Sequence, residues 1–394
     1  MNTTNIFLCT ILGMLLGILT GLVPGLHQNT VALVLFALSP LDSLETSCLI
    51  FSMSISHNLF DFIPALLFCV PDPELSILQN PTIILIREYG FKGVISCINL
   101  GYLLGFLFSC IICISLLLMP VRDLYLLIRP YLAYILILVS LFFILHEKNR
   151  MMALIVFLMA GFYGLASFDM IPLIKKHSMV KYSDCLFPIF TGLFGMTSLI
   201  MSEKSLKSRE KKFQIDWRGL TKFSLIGSLV ALLISLLPSL SPAQGVAMAH
   251  YLLGRTGIGF LVSSSAVNSG DTIFSVISCY TIKNPRSGVG VLIEDLIRVN
   301  LFEVLLMLSI GLISLGLSSL VFNFLIKNLE MLNIERIKIP VVLCLFILLF
   351  VFSGPFGILV SLVGVSIGLL PHLHGISRIH CMGVLIVPTI IFLL

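Results

Sequence analysis

Charge is scarce in this sequence: only 11% of its 394 residues are Asp, Glu, Lys or Arg, against about 25% in an average soluble domain. So few charges cannot clothe a water-exposed surface, which excludes a soluble globular chain. A nucleic-acid binder is excluded as well, because it needs a dense basic face. Long polar stretches are missing too, so no soluble receptor or enzyme module is fused to the apolar runs. The ten cysteines lie mostly within apolar runs (Cys9, Cys110, Cys113, Cys344), Cys110-Ile-Ile-Cys113 included, where they act as small apolar residues; neither disulfides nor metal are expected. No GxSxG, HExxH, P-loop or GxGxxG stands in a suitable context, and no nucleophile–base set can be assembled, so an enzyme is not expected. His372, His374 and His380 have the residue types of a zinc site but not its spacing or a completing ligand.

What is plentiful is hydrophobicity, 58% of residues, with a mean hydropathy of +1.10. Runs such as 93–119 and 151–172 are long enough to cross a bilayer. The fold class expected is an all-α polytopic membrane protein with roughly ten full spans and at least two half-helices. The net charge of +5 sits mostly between residues 204 and 222, at Lys204, Lys207, Arg209, Lys211, Lys212, Arg218 and Lys222. A basic connector beside spans lies in the cytoplasm. Working outward from it, 87–92, 148–150, 327–338 and 372–378 fall inside and 122–129 outside. Residues 175–181 also fall outside, against the charge rule, and both termini come out extracytoplasmic. No basic residue precedes the first apolar run, so a retained span is expected there rather than a cleaved leader.

Two polar, proline-broken interruptions stand in this hydrophobic sequence, Gly21-Leu-Val-Pro24-Gly25-Leu-His27-Gln28-Asn29-Thr30 and Leu236-Leu-Pro238-Ser239-Leu-Ser241-Pro242-Ala-Gln244-Gly245. Non-helical backbone at hydrocarbon depth survives only against protein or a watery cavity, and paired breaks point to a transporter binding site. Pro24 aligns with Pro238 at an offset of 214, Asn58 and Asp61 with Asn268 and Asp271 at 210, and Asn80-Pro81 with Asn284-Pro285 at 204. Four long apolar segments follow each block, near 94–119, 124–145, 151–172 and 185–201, then 299–326, 339–353, 355–371 and 378–394. The chain therefore divides into membrane repeat 1 over 1–203, the basic connector over 204–222 and membrane repeat 2 over 223–394. Because the first copy starts outside and the second inside, the repeats are expected to be inverted, with their broken helices and half-helix hairpins meeting at the midplane.

Ser241-Pro242 reads as an N-cap followed by proline at the first helical position, and Asn29 or Thr30 as the cap of a short helix running to Ser39-Pro40. Helix N-termini suit an anionic group, so Pro24, Gly25, His27, Gln28, Asn29, Thr30, Ser239, Ser241, Gln244 and Asn268 are the candidate substrate-binding set; the alternative is that these groups merely satisfy a kinked backbone. Asp61 and Asp271 lie in apolar segments, each with an asparagine three residues earlier on the same face. Asn58, Asp61, Asn268 and Asp271 are thus candidates for coupling Na⁺ or H⁺, or else water-exposed groups near segment ends. His57 is a candidate donor or a hydrogen-bonded core residue. Arg298 is expected to pair with Glu294 at i, i+4, Arg286 to anchor at the interface or gate an anion, and Arg255 to mark a loop.

At Gly21–Thr30, and again at Leu237-Pro-Ser-Leu-Ser241-Pro-Ala-Gln244, Asn268–Asp271 and Asn284-Pro-Arg286-Ser-Gly288, the chain resembles the large membrane subunit of the tripartite tricarboxylate transporter (TctA-type) permeases, over most of its length. The resemblance implies ion-coupled uptake of carboxylates such as citrate, with a small membrane subunit and an extracytoplasmic binding protein. Two departures stand out: the chain is short for a bacterial member, and Ser239 occupies a position where the pattern has glycine. The expectation is a multi-pass permease of a prokaryotic plasma membrane carrying a small organic anion by alternating access, without an enzyme cofactor, with a homodimer left open. A carrier of a lipid-linked phosphate and a non-transporting membrane scaffold are the alternatives.

Overall fold

The computed structural model of the chain describes residues 3–23, 26–67, 79–180, 185–201, 216–253, 257–283, 285, 287–329 and 334–394. Pro24, Gly25, Arg255, Asn284, Arg286 and connector residues 204–215 lie outside the described residues. Those described form helices and no strand. Among the described residues, eight helices are long and apolar enough to cross a membrane, and leucines and phenylalanines such as Leu138, Phe162, Leu320 and Phe324 point outward from them. On a soluble protein such a surface would drive association; here it is the lipid face of a multi-pass membrane protein.

Lipid offers helices no hydrophobic reason to associate, so close backbone approach and interhelical hydrogen bonds must hold them together. The first half shows how. Helix α1 (Thr3–Gly21) lies along α3 (Ser43–Phe60) with Gly13, Gly17 and Gly21 on the contact. These meet, in turn, Leu49 and Ser52, then Met53 and Ser56, then His57 and Phe60, so the two helices run parallel. Between them lie α2 (Gln28–Leu38) and a turn ended by Ser39. After Asp61 and the short α4 (Phe62–Leu67) comes α5 (Gln79–Leu117), broken at Gly90, whose φ of 77° only glycine adopts readily.

The second half repeats this at a fixed spacing. Helix α12 (Trp217–Ser235) runs parallel to α14 (Gly257–Thr281), through Phe223 on Gly259, Gly227 on Ser263 and Ala266, and Ala231 on Gly270. A Cβ on Gly17 would strike the carbonyl of residue 53 and the Cβ of residue 56; one on Gly227 would strike the carbonyl of 263 and the Cβ of 266. All three positions are offset by 210. Between these helices lies α13 (Pro242–Leu253), and beyond them α15 (Gly288–Leu296) and α16 (Leu301–Leu329).

Contacts across the halves fix the helix directions. Ser314 donates to the carbonyl of Ser52 and Ser318 bonds Ser56, so α16 runs with α3. Gly101 meets Val262 and Ser265, Gly105 meets Ala266 and Ser269, and Ser109 meets Gly270, so α5 runs with α14. Asn99 bonds Ser319 and Asn323 while Phe106 meets Gly311, so α5 and α16 are antiparallel. Consequently α1, α3 and α16 point one way and α5, α12 and α14 the other. Trp217, exposed at the start of α12 beside Arg218, is a typical interfacial anchor. Residues 217–222, grouped by charge with the connector, form the opening turns of this helix.

The remaining helices make a second body: α6 (Val121–Ile128), α7 (Leu132–His146), α8 (Arg150–Asp169), α9 (Ile171–His177), α10 (Leu186–Phe190), α11 (Thr197–Met201), α17 (Ile334–Leu373, broken at Gly354) and α18 (Gly383–Leu393). A π-helical turn, Thr191–Met196, joins α10 to α11, and the Thr197 hydroxyl caps the carbonyl of Gly192 at 2.8 Å. A 3₁₀ turn, Arg378–Met382, joins α17 to α18. Each body has its own apolar core. Among the described residues, no helix of one body lies along a helix of the other. The seam is bridged by small clusters, such as Phe143 and Ile379 on Ala247, and by Leu26 and Leu240, one from each break.

Helix α15 ends at Leu296 with Ile297 extended, so Arg298 leaves the helix and does not face Glu294. The expected pair does not form because the helix stops one turn too early. Instead, Glu147 between α7 and α8 accepts the Ser377 N–H at 3.0 Å and meets His380 Nε2 at 3.2 Å, latching two loops of the second body. Burial alone would push the Glu147 carboxyl up, but hydrogen bonds from His380, Ser377 and the Lys148 N–H outweigh it and hold the group below 4.5.

Two outcomes follow for thermal unfolding in detergent. Gly17→Val and Gly227→Val each destabilise by about 1–3 kcal/mol through overpacking, whereas Gly316→Ala, with open space around its Cβ position, stabilises by about 0.5–1 kcal/mol. Because the folded state lowers the Glu147 pKa, its contribution is complete above the ordinary carboxylate range and is lost as pH falls through the depressed value. The parent should exceed Glu147→Gln by about 1 kcal/mol at pH 7, and the two should converge as pH falls below the ordinary carboxylate range.

Candidate functional site

The two breaks start at one level of the first body. Gly21, the last residue of α1, packs on His57 and Phe60. Ala231, one turn before the end of α12, packs on Gly270. Asn58 Nδ2 donates to Thr272 Oγ1 at 2.9 Å, tying these levels of α3 and α14 together. Thus two helices arriving from opposite directions stop side by side, and their broken continuations face the seam between the bodies.

Helix α2 begins at Gln28 and is capped by His27, whose Nδ1 accepts the Asn29 N–H at 3.2 Å. The cap is therefore His27, not Asn29 or Thr30: the imidazole reaches the free N–H groups from the extended residue before the helix. His27 also stacks on Phe190 of the second body, ring centroids 5.6 Å apart. Gln28 Oε1 accepts from Ser54. Asn29 reaches out of its own helix, and its Oδ1 accepts the Val289 N–H of α15 at 3.3 Å. The N-termini of α2 and α15, one from each half, thus share an asparagine. Thr30 is buried on the inner face.

In the second break, Ser239 has φ +58° and its hydroxyl bonds Thr389 of α18. The left-handed conformation explains why glycine fits the pattern here; serine accepts a cost of about 1 kcal/mol and gains a contact to the second body. Ser241 caps α13, with Pro242 at its first position as the sequence predicts. Gln244 Oε1, at the third position of α13, accepts both the Ser241 N–H at 2.6 Å and its hydroxyl at 2.9 Å, the return half of a capping box. Ser241 is thus engaged in folding rather than offered to a ligand.

What remains is asymmetric. Gln244 Nε2 and Asn268 Oδ1 are buried with no hydrogen-bond partner, although buried amides normally find one. Both lie at one depth: Gly245 packs on Val230 and Ile234, and Gly270 on the neighbouring Ala231. Asn58, the counterpart of Asn268, is spent on Thr272. The residue at 62, which the offset of 210 pairs with 272, is Phe62 and offers no hydroxyl to Asn268. Asp61 is buried at the junction of α3 and α4, and Asp271 is half-buried within α14. His57 bonds Thr20 at 2.9 Å and joins α1 to α3, a core role.

Sequence reasoning missed Arg378. It is 4% exposed, donates from Nη1 to Ser198, and has an Nη2 with no partner. A Ser-Arg-Ile-His run near a chain end carries no motif, and only the turn between α17 and α18 reveals that the guanidinium folds inward.

A family model described as "Tripartite tricarboxylate transporter TctA family" matches residues 7–383, and the chain belongs to that family. It is 29% identical, over 98% of both chains, to the uncharacterized protein MJ1079 of Methanocaldococcus jannaschii. No solved structure matches the chain.

Proposed function

We propose that this member of the tripartite tricarboxylate transporter TctA family is the ion-coupled carrier of the system, moving a di- or tricarboxylate by alternating access across the seam between its two bodies. Family membership makes the chain a tricarboxylate transporter component; the mechanism is our reading. The observation that carries it is the pair of opposed helices broken at one level, with Gln244 Nε2 and Asn268 Oδ1 left unpaired beside them. The spacing of 210 and the opposed helix directions support two inverted repeats, the architecture that alternates access by rocking or shifting one body against the other.

On this reading the side-chain amide N–H of Gln244 and the positive dipole end of α13 hold a substrate carboxylate. Na⁺ or a proton near Asn268 and Asp271, or near Asp61, supplies the difference in affinity between the two states. The thin seam suits such movement, since little packing is lost when the bodies shift. The family's partners, a small membrane subunit and an extracytoplasmic binding protein, would deliver substrate from outside. Protein and lipid bilayer are then completed by a soluble receptor rather than by an enzyme cofactor.

The test is citrate-dependent thermal stability of the purified chain in Na⁺ or K⁺ at two pH values. At a hundredfold excess over Kd, binding adds about 2.7 kcal/mol to stability. Gln244→Glu keeps the capping oxygen but replaces the free donor with a charge that repels carboxylate, and is expected to weaken binding at least tenfold, about 1.4 kcal/mol. Asn268→Leu is expected to abolish the Na⁺ or pH dependence while leaving the unliganded protein as stable or more so. Unchanged citrate shifts in both variants would refute the placement of the site.

A further inference from the structure

We infer that Arg378, together with Ser198, forms an oxyanion seat in the second body, separate from the breaks and independent of the reading given to them. Arg378 lies in the 3₁₀ turn before α18, whose Cys381 and Met382 belong to the apolar core of the second body. Its Nη1 donates to the Ser198 hydroxyl of α11, while Nη2 is sealed from solvent and bonds nothing. No carboxylate forms an ion pair with it among the described residues. Glu147, which reaches the same turn, is already engaged by Ser377 and His380.

A guanidinium stays charged at any pH a protein meets, and a buried charge without a counter-charge is among the costliest arrangements a fold can hold. Within a membrane protein, such residues mark ligand or ion paths. The planar fork of arginine, with one N–H arm fixed by Ser198 and the other idle, matches two oxygens of one carboxylate or phosphate. The seat is also connected to the seam. Ile379, the next residue, packs on Ala247 and Met248 of α13, one turn beyond Gln244. Along the other element, Ser198 is separated from Phe190, which stacks on His27, by the π-helical turn Thr191–Met196. That is a reach on the order of 10 Å, and π turns recur at functional sites. The elements that carry Arg378 and Ser198 therefore extend to the helices that follow the two breaks.

The oxyanion has two sources, a free carboxylate or phosphate, and an anionic lipid headgroup. The experiment uses the full chain in nanodiscs, reading the thermal midpoint. One arm titrates citrate and inorganic phosphate in pure phosphatidylcholine discs; the other compares these with discs containing phosphatidylglycerol. The inference expects an oxyanion response in one arm, reduced at least tenfold in apparent affinity in Arg378→Gln and several-fold in Ser198→Ala. It also expects Arg378→Gln to have a higher midpoint than the parent in anion-free phosphatidylcholine, because an uncompensated charge is gone. The first arm would assign a soluble anion, the second a headgroup. A response that Arg378→Gln and Ser198→Ala leave intact, or no response in either arm, overturns the seat. Should Arg378→Gln fail to fold, Ser198→Ala and Arg378→Lys decide alone: an unaltered response in both overturns it. Gln244→Glu separates the two readings, since it disturbs the breaks without touching Arg378.

Discussion

Backbone-to-backbone contact between parallel helices is the constraint on which everything else here depends. Surrounded by hydrocarbon, α1 and α3 adhere because glycines let a carbonyl of one helix approach the axis of the other, and α12 and α14 do the same at a spacing of 210. The serines of α3, α14 and α16 extend this economy of side-chain volume. They occupy little space, and several bond neighbouring carbonyls, as Ser52 does on Thr10 at 2.7 Å and Ser314 on Ser52 at 3.1 Å. Helices packed this tightly cannot slide past one another, so the first body behaves as a single piece. Whatever motion the protein makes must occur elsewhere, and the seam, bridged by Leu26, Leu240 and a few small clusters, is where the structure is least committed.

The breaks are placed by the same packing. Because α1 and α12 end at the level where Asn58 meets Thr272, their continuations are delivered together without any direct bond between them. Each then fastens to the second body with a polar or ring contact as well, His27 on Phe190 and Ser239 on Thr389. A broken helix is thus anchored at its start by the first body and at its turn by the second. On the carrier reading, relative movement of the bodies would act on the residues beside the unpaired amides.

Much of this was legible in the sequence, and for identifiable reasons. Hydropathy revealed the helical, membrane-spanning class, and the Ser241-Pro242 start of α13 could be read because serine and proline have position-specific roles at a helix N-terminus. The recurrence of Asn58 and Asp61 at Asn268 and Asp271 gave the offset that the packing of Gly17 and Gly227 reproduces. Local reasoning failed where a side chain acts at a distance. Histidine is an unusual cap, so His27 was passed over for Asn29, which instead serves α15 across the halves. Arg298 was assigned a helical partner because nothing in Ile297 announces an extended residue. Arg378 had no signal at all, since its burial arises from a turn that composition does not encode.

One asymmetry has a reach beyond the geometry. A duplicated architecture would be expected to offer two equivalent seats, one per copy, and hence to carry two substrates or two ions per cycle. Here Thr272 takes up the Asn58 Nδ2 donor and makes that amide a strut between α3 and α14, whereas the Asn268 Oδ1 acceptor has no partner. At the breaks, the carrier reading then has one open amide of this pair rather than two.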